Sequence, residues 1–229
     1  MSHIVKIQAW WRGCNCRNKR LPNAIYSIQK TLKLANIEIT NNNNDGRINS
    51  VFDECEITNV LKSVYGKRIF IPKIRAWYDV MIHDYMYGWL PINIKSTKTT
   101  TSDNTGNLAM CVYAYTNNYL PKKEQQNNGK MCQILCTKLK SKKYNKKRKK
   151  DYYFVVLNKN DTTDIIVNSL KGLSVLTPNI NNLPFQIRWD RNREFEYKLI
   201  DQVIEQFIEC VQRPAPSWKE KFITTIRSL

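Results

Sequence analysis

Residues 77–107, WYDVMIHDYMYGWLPINIKSTKTTTSDNTGN, constrain this chain more than any other segment. Residues 78–83 and 90–96 are short runs rich in β-branched and other apolar side chains, which predicts two β-strands. Tyr87 and Gly88 between them predict a tight turn, so the two strands pair as a hairpin. Residues two apart on a strand share a face. Asn93 and Lys95 therefore project together, Ile92 and Ile94 face the core, and Asp79, near the start of the preceding strand, is placed to meet the polar pair.

A carboxylate and an amide oxygen are hard ligands suited to Mg²⁺, which keeps several waters and binds substrate phosphate. A lysine beside them can orient an attacking water or neutralise charge that develops on the phosphate. The sequence carries 37 Lys and Arg against 19 Asp and Glu, a formal charge of +18, which makes a polyanion the natural partner.

At 229 residues the chain is long enough for one substantial core, and 42% apolar residues are too many for a disordered protein. No apolar run reaches the roughly 18 residues of a membrane span. The first residues lack a signal-peptide pattern, their apolar run being broken by Lys6, Gln8 and Arg12, so intracellular residence is expected, in cytoplasm, nucleus or virion. Seven cysteines, with no paired CxxC units, and only His3 and His83 argue against a zinc site and for reduced thiols.

Residues 3–36 read as two helices divided by Pro22, with no acidic residue before Glu38. The polar stretch 41–46 marks a boundary between a basic N-terminal segment, 1–40, and a second domain, 47–229. Residues 47–65 read as a helix with Ile48, Val51, Phe52 and Cys55 in one stripe, continued by Ile57, Val60, Leu61 and Val64 and ended by Gly66. Strands are expected at 69–71, 131–139, 152–158, 164–168 and 186–189, with 108–115 open between helix and strand. Residues 195–211 read as a helix whose face carries Phe195, Leu199, Val203, Phe207 and Cys210. Strands flanked by helices imply an α/β fold with a mixed sheet.

Asp79 followed by Pro91-Ile92-Asn93-Ile94-Lys95 resembles the PD-(D/E)xK nuclease superfamily, in particular type II restriction endonucleases. The ordered set GWLPINIKST, SDNTGN, YYFVVLNK and NLPFQIRW looks like endonucleases carried by bacteria and large DNA viruses, over roughly residues 47–215. The resemblance implies a restriction-endonuclease-like mixed central sheet flanked by helices, and Mg²⁺-dependent cleavage of double-stranded DNA by a homodimer. It makes Asp79 the metal-binding aspartate, Asn93 the occupant of the second acidic position, and Lys95 the catalytic lysine. Glu54 stands for the glutamate that the family often adds from a preceding helix, with Glu56 as the second choice. Asn93 departs from the usual Asp or Glu and donates one negative charge less; Glu54, Asp84 or Asp103 are the carboxylates available to compensate. Asp103-Asn104 also suits a turn or a helix cap.

Residues 138–150, KLKSKKYNKKRKK, hold nine basic residues in thirteen and read as a loop or arm at a strand edge. Lys142, Lys143, Lys146, Lys147, Arg148 and Lys149 are the expected phosphate contacts, releasing counterions from DNA. Base readout falls to forked and amide side chains: Gln186, Arg188, Asn181, Asn182 and Arg191. Ile7-Gln8-x3-Arg12-Gly13-x3-Arg17 resembles the IQ motif, which binds calmodulin-like proteins as a basic helix. Two alternatives to an endonuclease follow: a non-catalytic DNA-binding relative, for which Asn93 argues, and an IQ-type interaction module.

Overall fold

The computed structural model describes residues 19–35, 37–39, 46–72, 76–116, 127–145, 150–179, 184–212 and 224, with backbone alone for 46–48. In chain order the elements are α1 (Asn23–Leu34), α2 (Gly46–Tyr65), β1 (Ile69–Phe70), β2 (Val80–Asp84), β3 (Gly88–Thr97), α3 (Leu108–Tyr115), α4 (Asn128–Lys140), β4 (Tyr153–Asn158), β5 (Asp161–Ser169), β6 (Thr177–Pro178), β7 (Phe185–Gln186) and α5 (Ile200–Val211). The main sheet has the order β1-β2-β3-β4-β5. Its β3–β4 pair is parallel and the other three pairs are antiparallel. Parallel neighbours need a crossover, and α3 and α4 lie in the connection from β3 to β4.

The fold is a mixed α/β architecture with helices on both faces of the sheet. The run Tyr153–Asn158 is buried throughout. Its odd and even residues enter different apolar layers, as the two-residue period of a central strand requires. Tyr153, Val155 and Leu157 join Ile92 and Ile94 beneath α1 and α2, where Ile25, Ile28, Leu32, Ile57 and Leu61 close the layer. Phe154 and Val156 face the opposite layer, with Met110, Leu135, Trp189 and Phe207. Each fully buried large side chain contributes about 1.5–3 kcal/mol.

The hairpin is as expected: β2 and β3 pair with Asp84 opposite Gly88, and Gly88 sits at φ 73°, a left-handed conformation that glycine adopts without strain. Gly66, at φ 51°, follows the last residue of α2.

Several local expectations are corrected. Residues 131–139 are helical, within α4, because Asn127 caps the start by accepting the Lys130 N–H and Met131, Leu135 and Leu139 recur every four residues on the buried side. Residues 108–115 are also helical, capped by Asn107. The stripe read on α2 is displaced: Val51, Phe52, Cys55 and Val64 are exposed, while Asn49, Asp53, Ile57, Leu61 and Tyr65 are buried. Two polar residues thus open the buried face, which the apolar pattern concealed. Helix α5 starts at Ile200, so Phe195 and Leu199 lie outside it, and Trp189 belongs to a 3-10 turn after a two-residue strand. The expected first helix, before Pro22, falls outside the described residues.

Candidate functional site

Strand β2 begins at Val80, opposite Ile92. Beyond Ile92, β3 continues to Thr97 without β2 beside it, so the backbone groups of Ile94 and Ser96 on that side lack a strand partner. Side chains replace it. Asp79 Oδ2 accepts the Ile94 N–H at 2.7 Å, and the Ser50 hydroxyl of α2 donates to the Ser96 carbonyl at 3.2 Å. Helix α2 and the Asp79 carboxylate therefore meet at one open edge of β3.

The predicted quartet converges there. Asp79 Oδ2 also accepts the Asn93 amide at 2.8 Å. Lys95 Nζ lies 3.2 Å from Glu54 Oε1, with the two side chains 26% and 25% exposed, so the pair is partly open to solvent. Asp103 acts electrostatically on both Glu54 and Lys95. Its carboxylate accepts the Trp189 indole N–H at 3.1 Å, and its backbone exchanges two hydrogen bonds with Ile187. Three carboxylates against one ammonium leave two negative charges unbalanced when all are ionised, inside a chain whose net charge is +18.

Burial raises the pKa of Glu54, opposed by the charge and hydrogen bond of Lys95 and reinforced by Asp79 and Asp103. Burial likewise raises Asp79, opposed by the Ile94 N–H and by Lys95. For Lys95, burial pulls the value down, but Glu54, Asp79 and Asp103 outweigh it and hold the ammonium above the ordinary lysine value. The three carboxylates thus favour the ammonium form of Lys95.

Asn93 Oδ1 is buried and makes no hydrogen bond. An orphaned oxygen of this kind carries a desolvation cost of about 1–3 kcal/mol unless something coordinates it. Among the described residues no three His, Cys, Asp or Glu side chains form a metal cluster by themselves. The side chains that meet at this edge and carry oxygen are Asp79, Glu54 and Asn93.

The remaining candidates divide. Asp84 lies at the far end of the hairpin, where it accepts the Met86, Tyr87 and Ala24 N–H groups, so it caps the turn and the start of α1 and does not compensate Asn93. Glu56 is half-buried on α2, two residues round from Glu54. Lys138 and Lys140 form the basic last turn of α4, so the basic run opens as a helix terminus, where cations complement the helix dipole. Lys142 and Lys143 are exposed after it, while Lys146, Lys147, Arg148 and Lys149 fall outside the described residues, as do Asn181 and Asn182. Arg188 is held by Asp190 through a two-point fork of 3.2 and 2.6 Å, and Arg191 is exposed. Gln186 is half-buried on β7.

The sequence reading missed the support of the site. Buried Asp53 accepts from the Ser96 hydroxyl at 2.7 Å and lies 3.6 Å from Lys159 Nζ, which donates to Ser50. A signal was present: Asn49 and Asp53 precede Ile57 and Leu61 at helical spacing of four. A cavity of about 300 Å³, walled by Tyr87, Tyr153, Phe195 and Tyr197 around Asp151, includes none of Glu54, Asp79, Asn93 and Lys95 in its lining.

Residues 1–19 match the IQ calmodulin-binding motif. No curated protein matches the chain. Among the described residues no helix is long and apolar enough to cross a membrane.

Proposed function

We propose that this chain is a Mg²⁺-dependent endonuclease of the restriction type, cutting double-stranded DNA at a specific short site. The observation that carries the reading is the convergence of Asp79, Asn93, Lys95 and Glu54 on one open strand edge, with the Asn93 oxygen buried and unpaired. The mixed sheet flanked by helices agrees with the resemblance to PD-(D/E)xK nucleases. Asp79, Glu54 and the Asn93 oxygen would hold the Mg²⁺. When bound, the ion lowers the pKa of a coordinated water and stabilises negative charge on the phosphate.

The chain's own groups divide the remaining work. Lys95, held protonated by three carboxylates, offsets charge that develops on the phosphate oxygens. Asp79 fixes the Ile94 backbone and with it the pitch of the strand that carries both Asn93 and Lys95. Asp103 supplies the negative charge that Asn93 does not. The charge of +18, including exposed Lys142 and Lys143, draws the DNA backbone. A palindromic site would call for a two-fold homodimer, each copy cutting one strand.

Incubating supercoiled plasmid with the chain, with and without Mg²⁺, tests the reading. Linear or nicked product only with Mg²⁺ is expected. Binding without cleavage at any Mg²⁺ concentration would make the chain a non-catalytic DNA-binding relative.

A second reading rests on the IQ match over residues 1–19: that segment engages a calmodulin-like protein, alongside the DNA-directed activity. Capture by immobilised calmodulin at high salt, which suppresses non-specific attraction to a basic chain, is its test.

A further inference from the structure

Strands β6 and β7 form a two-stranded ribbon, with Thr177 opposite Gln186 and Pro178 opposite Phe185. The segment after β3 adds a third strand to it, because Asp103 bridges Ile187 in antiparallel register. That register sets Asn104 across from Gln186. Phe185 and Ile187 are fully buried, so the intervening Gln186 and Asn104 lie on the ribbon's outer face.

The amides there are joined. Asn104 Oδ1 accepts from Gln186 Nε2 at 2.8 Å and from Asn179 Nδ2 at 3.0 Å. Asn179 is 1% exposed and anchors the group from beneath. With the Asn104 oxygen occupied twice, its NH₂ group remains a donor toward solvent, and Gln186 presents an acceptor oxygen beside it. Asp103, the residue before Asn104, belongs to the acidic cluster.

We propose that the outer face of this ribbon, through Asn104 and Gln186 oriented by Asn179, reads adenine in the major groove next to the phosphate that is cut. The inference rests on the endonuclease reading and deepens it. The edge pair formed by 103–104 and 186–187 is a two-stranded unit of the width the major groove admits, and an amide donor beside an amide acceptor matches adenine N7 and N6. The Arg188–Asp190 fork on the same segment keeps the guanidinium from taking a phosphate in their place.

The test is selection of bound duplexes from a random pool, in Ca²⁺ so that binding is scored without cleavage, for the parent, Asn104→Ala and Gln186→Met. Gln186→Met keeps the side chain's length and leaves the Asn179–Asn104 bond in place, and thermal unfolding of both variants beside the parent checks that each is folded before selection. The parent should enrich a motif containing adenine, and each variant should lose preference at one or two positions by about 5–100-fold. Affinity for unrelated duplex should stay within about threefold, since phosphate contacts supply it. A parent that enriches a motif which both variants retain overturns the ribbon assignment and leaves the endonuclease reading standing. A parent that neither selects a sequence in Ca²⁺ nor cleaves plasmid in Mg²⁺ overturns both.

Discussion

The Ser96 hydroxyl donates to the fully buried Asp53 carboxylate at 2.7 Å, one residue along on both elements from the Lys95–Glu54 ion pair. Adjacent residues of α2 therefore grip adjacent residues of β3, one pair sealed in the interior and the other partly open to solvent. The inner pair sets the outer one.

Ser96→Ala should accordingly lower stability by about 1–3 kcal/mol, because it strips a donor from a buried carboxylate. Asp53→Ala should cost more, about 3 kcal/mol or above, since it removes the charge opposite Lys159. Urea unfolding measures both. Cleavage by Ser96→Ala under conditions where it is fully folded should also fall, and an unchanged rate would detach the inner pair from the function.

Lys95→Ala should slow cleavage on the order of 100-fold or more, the scale of losing one preorganised charge. Asp79→Asn keeps an acceptor for the Ile94 N–H while removing a negative charge, so it should stop cleavage without loss of stability at neutral pH. Single-turnover kinetics beside thermal unfolding separate the two effects. A Lys95→Ala rate within a few-fold of the parent would take the lysine out of the chemistry.

The pH dependence has opposite signs for stability and for activity. Glu54 and Asp79 titrate above their ordinary 4.5 and 3.8. A carboxyl raised in the folded state favours folding in its protonated form. That contribution is full below the unfolded pKa and is lost as pH rises through the folded one. Cleavage needs the ionised forms, so the acidic limb of the rate profile should lie above the ordinary carboxyl range. Extra Mg²⁺ should move it down by competing with protons. Profiles at two Mg²⁺ concentrations check this; a limb that stays fixed would separate these carboxylates from the metal.

Asn93→Asp should preserve cleavage and tighten Mg²⁺ dependence, because it adds the missing charge at the same place. Asn93→Leu should abolish it, offering no oxygen at a buried ligand position. Mg²⁺ titrations of the three proteins decide the role of Asn93. Activity gained only in Asn93→Asp would mark the parent as a relative that has lost catalysis, and full activity in Asn93→Leu would make Asn93 structural.

Much of this site was legible because a strand obeys a short period: Asn93 and Lys95 two apart, Asp79 just ahead of the partner strand. The α/β class followed from the same patterns. Less legible was anything set by partners distant in sequence. Residues 131–139 carry Met131, Leu135 and Leu139 at helical spacing, but the run is short, and Asn127, the cap that marks its start, lies upstream of it. The sequence reading passed over Asp53: a carboxylate is seldom fully buried without a partner, and its partners, Ser96 and Lys159, come 43 and 106 residues later. Asp84 looked as available as Asp103; only the fold separates the turn-capping carboxylate from the one beside Lys95.

The turn at Gly88 has a wider meaning. It sets which residues of β3 look up and which look down, and a slip of one position would exchange the two sets. Lys95 would then be driven among Ile25, Ile57 and Leu61, and Ile94 would take its half-exposed place. The apolar interior thus acts as a proofreader of this edge: a hairpin threaded one position off would have to bury a lysine in the core. Change at this edge has to come by exchanging one side chain for another in place, as at position 93, and not by moving the strand.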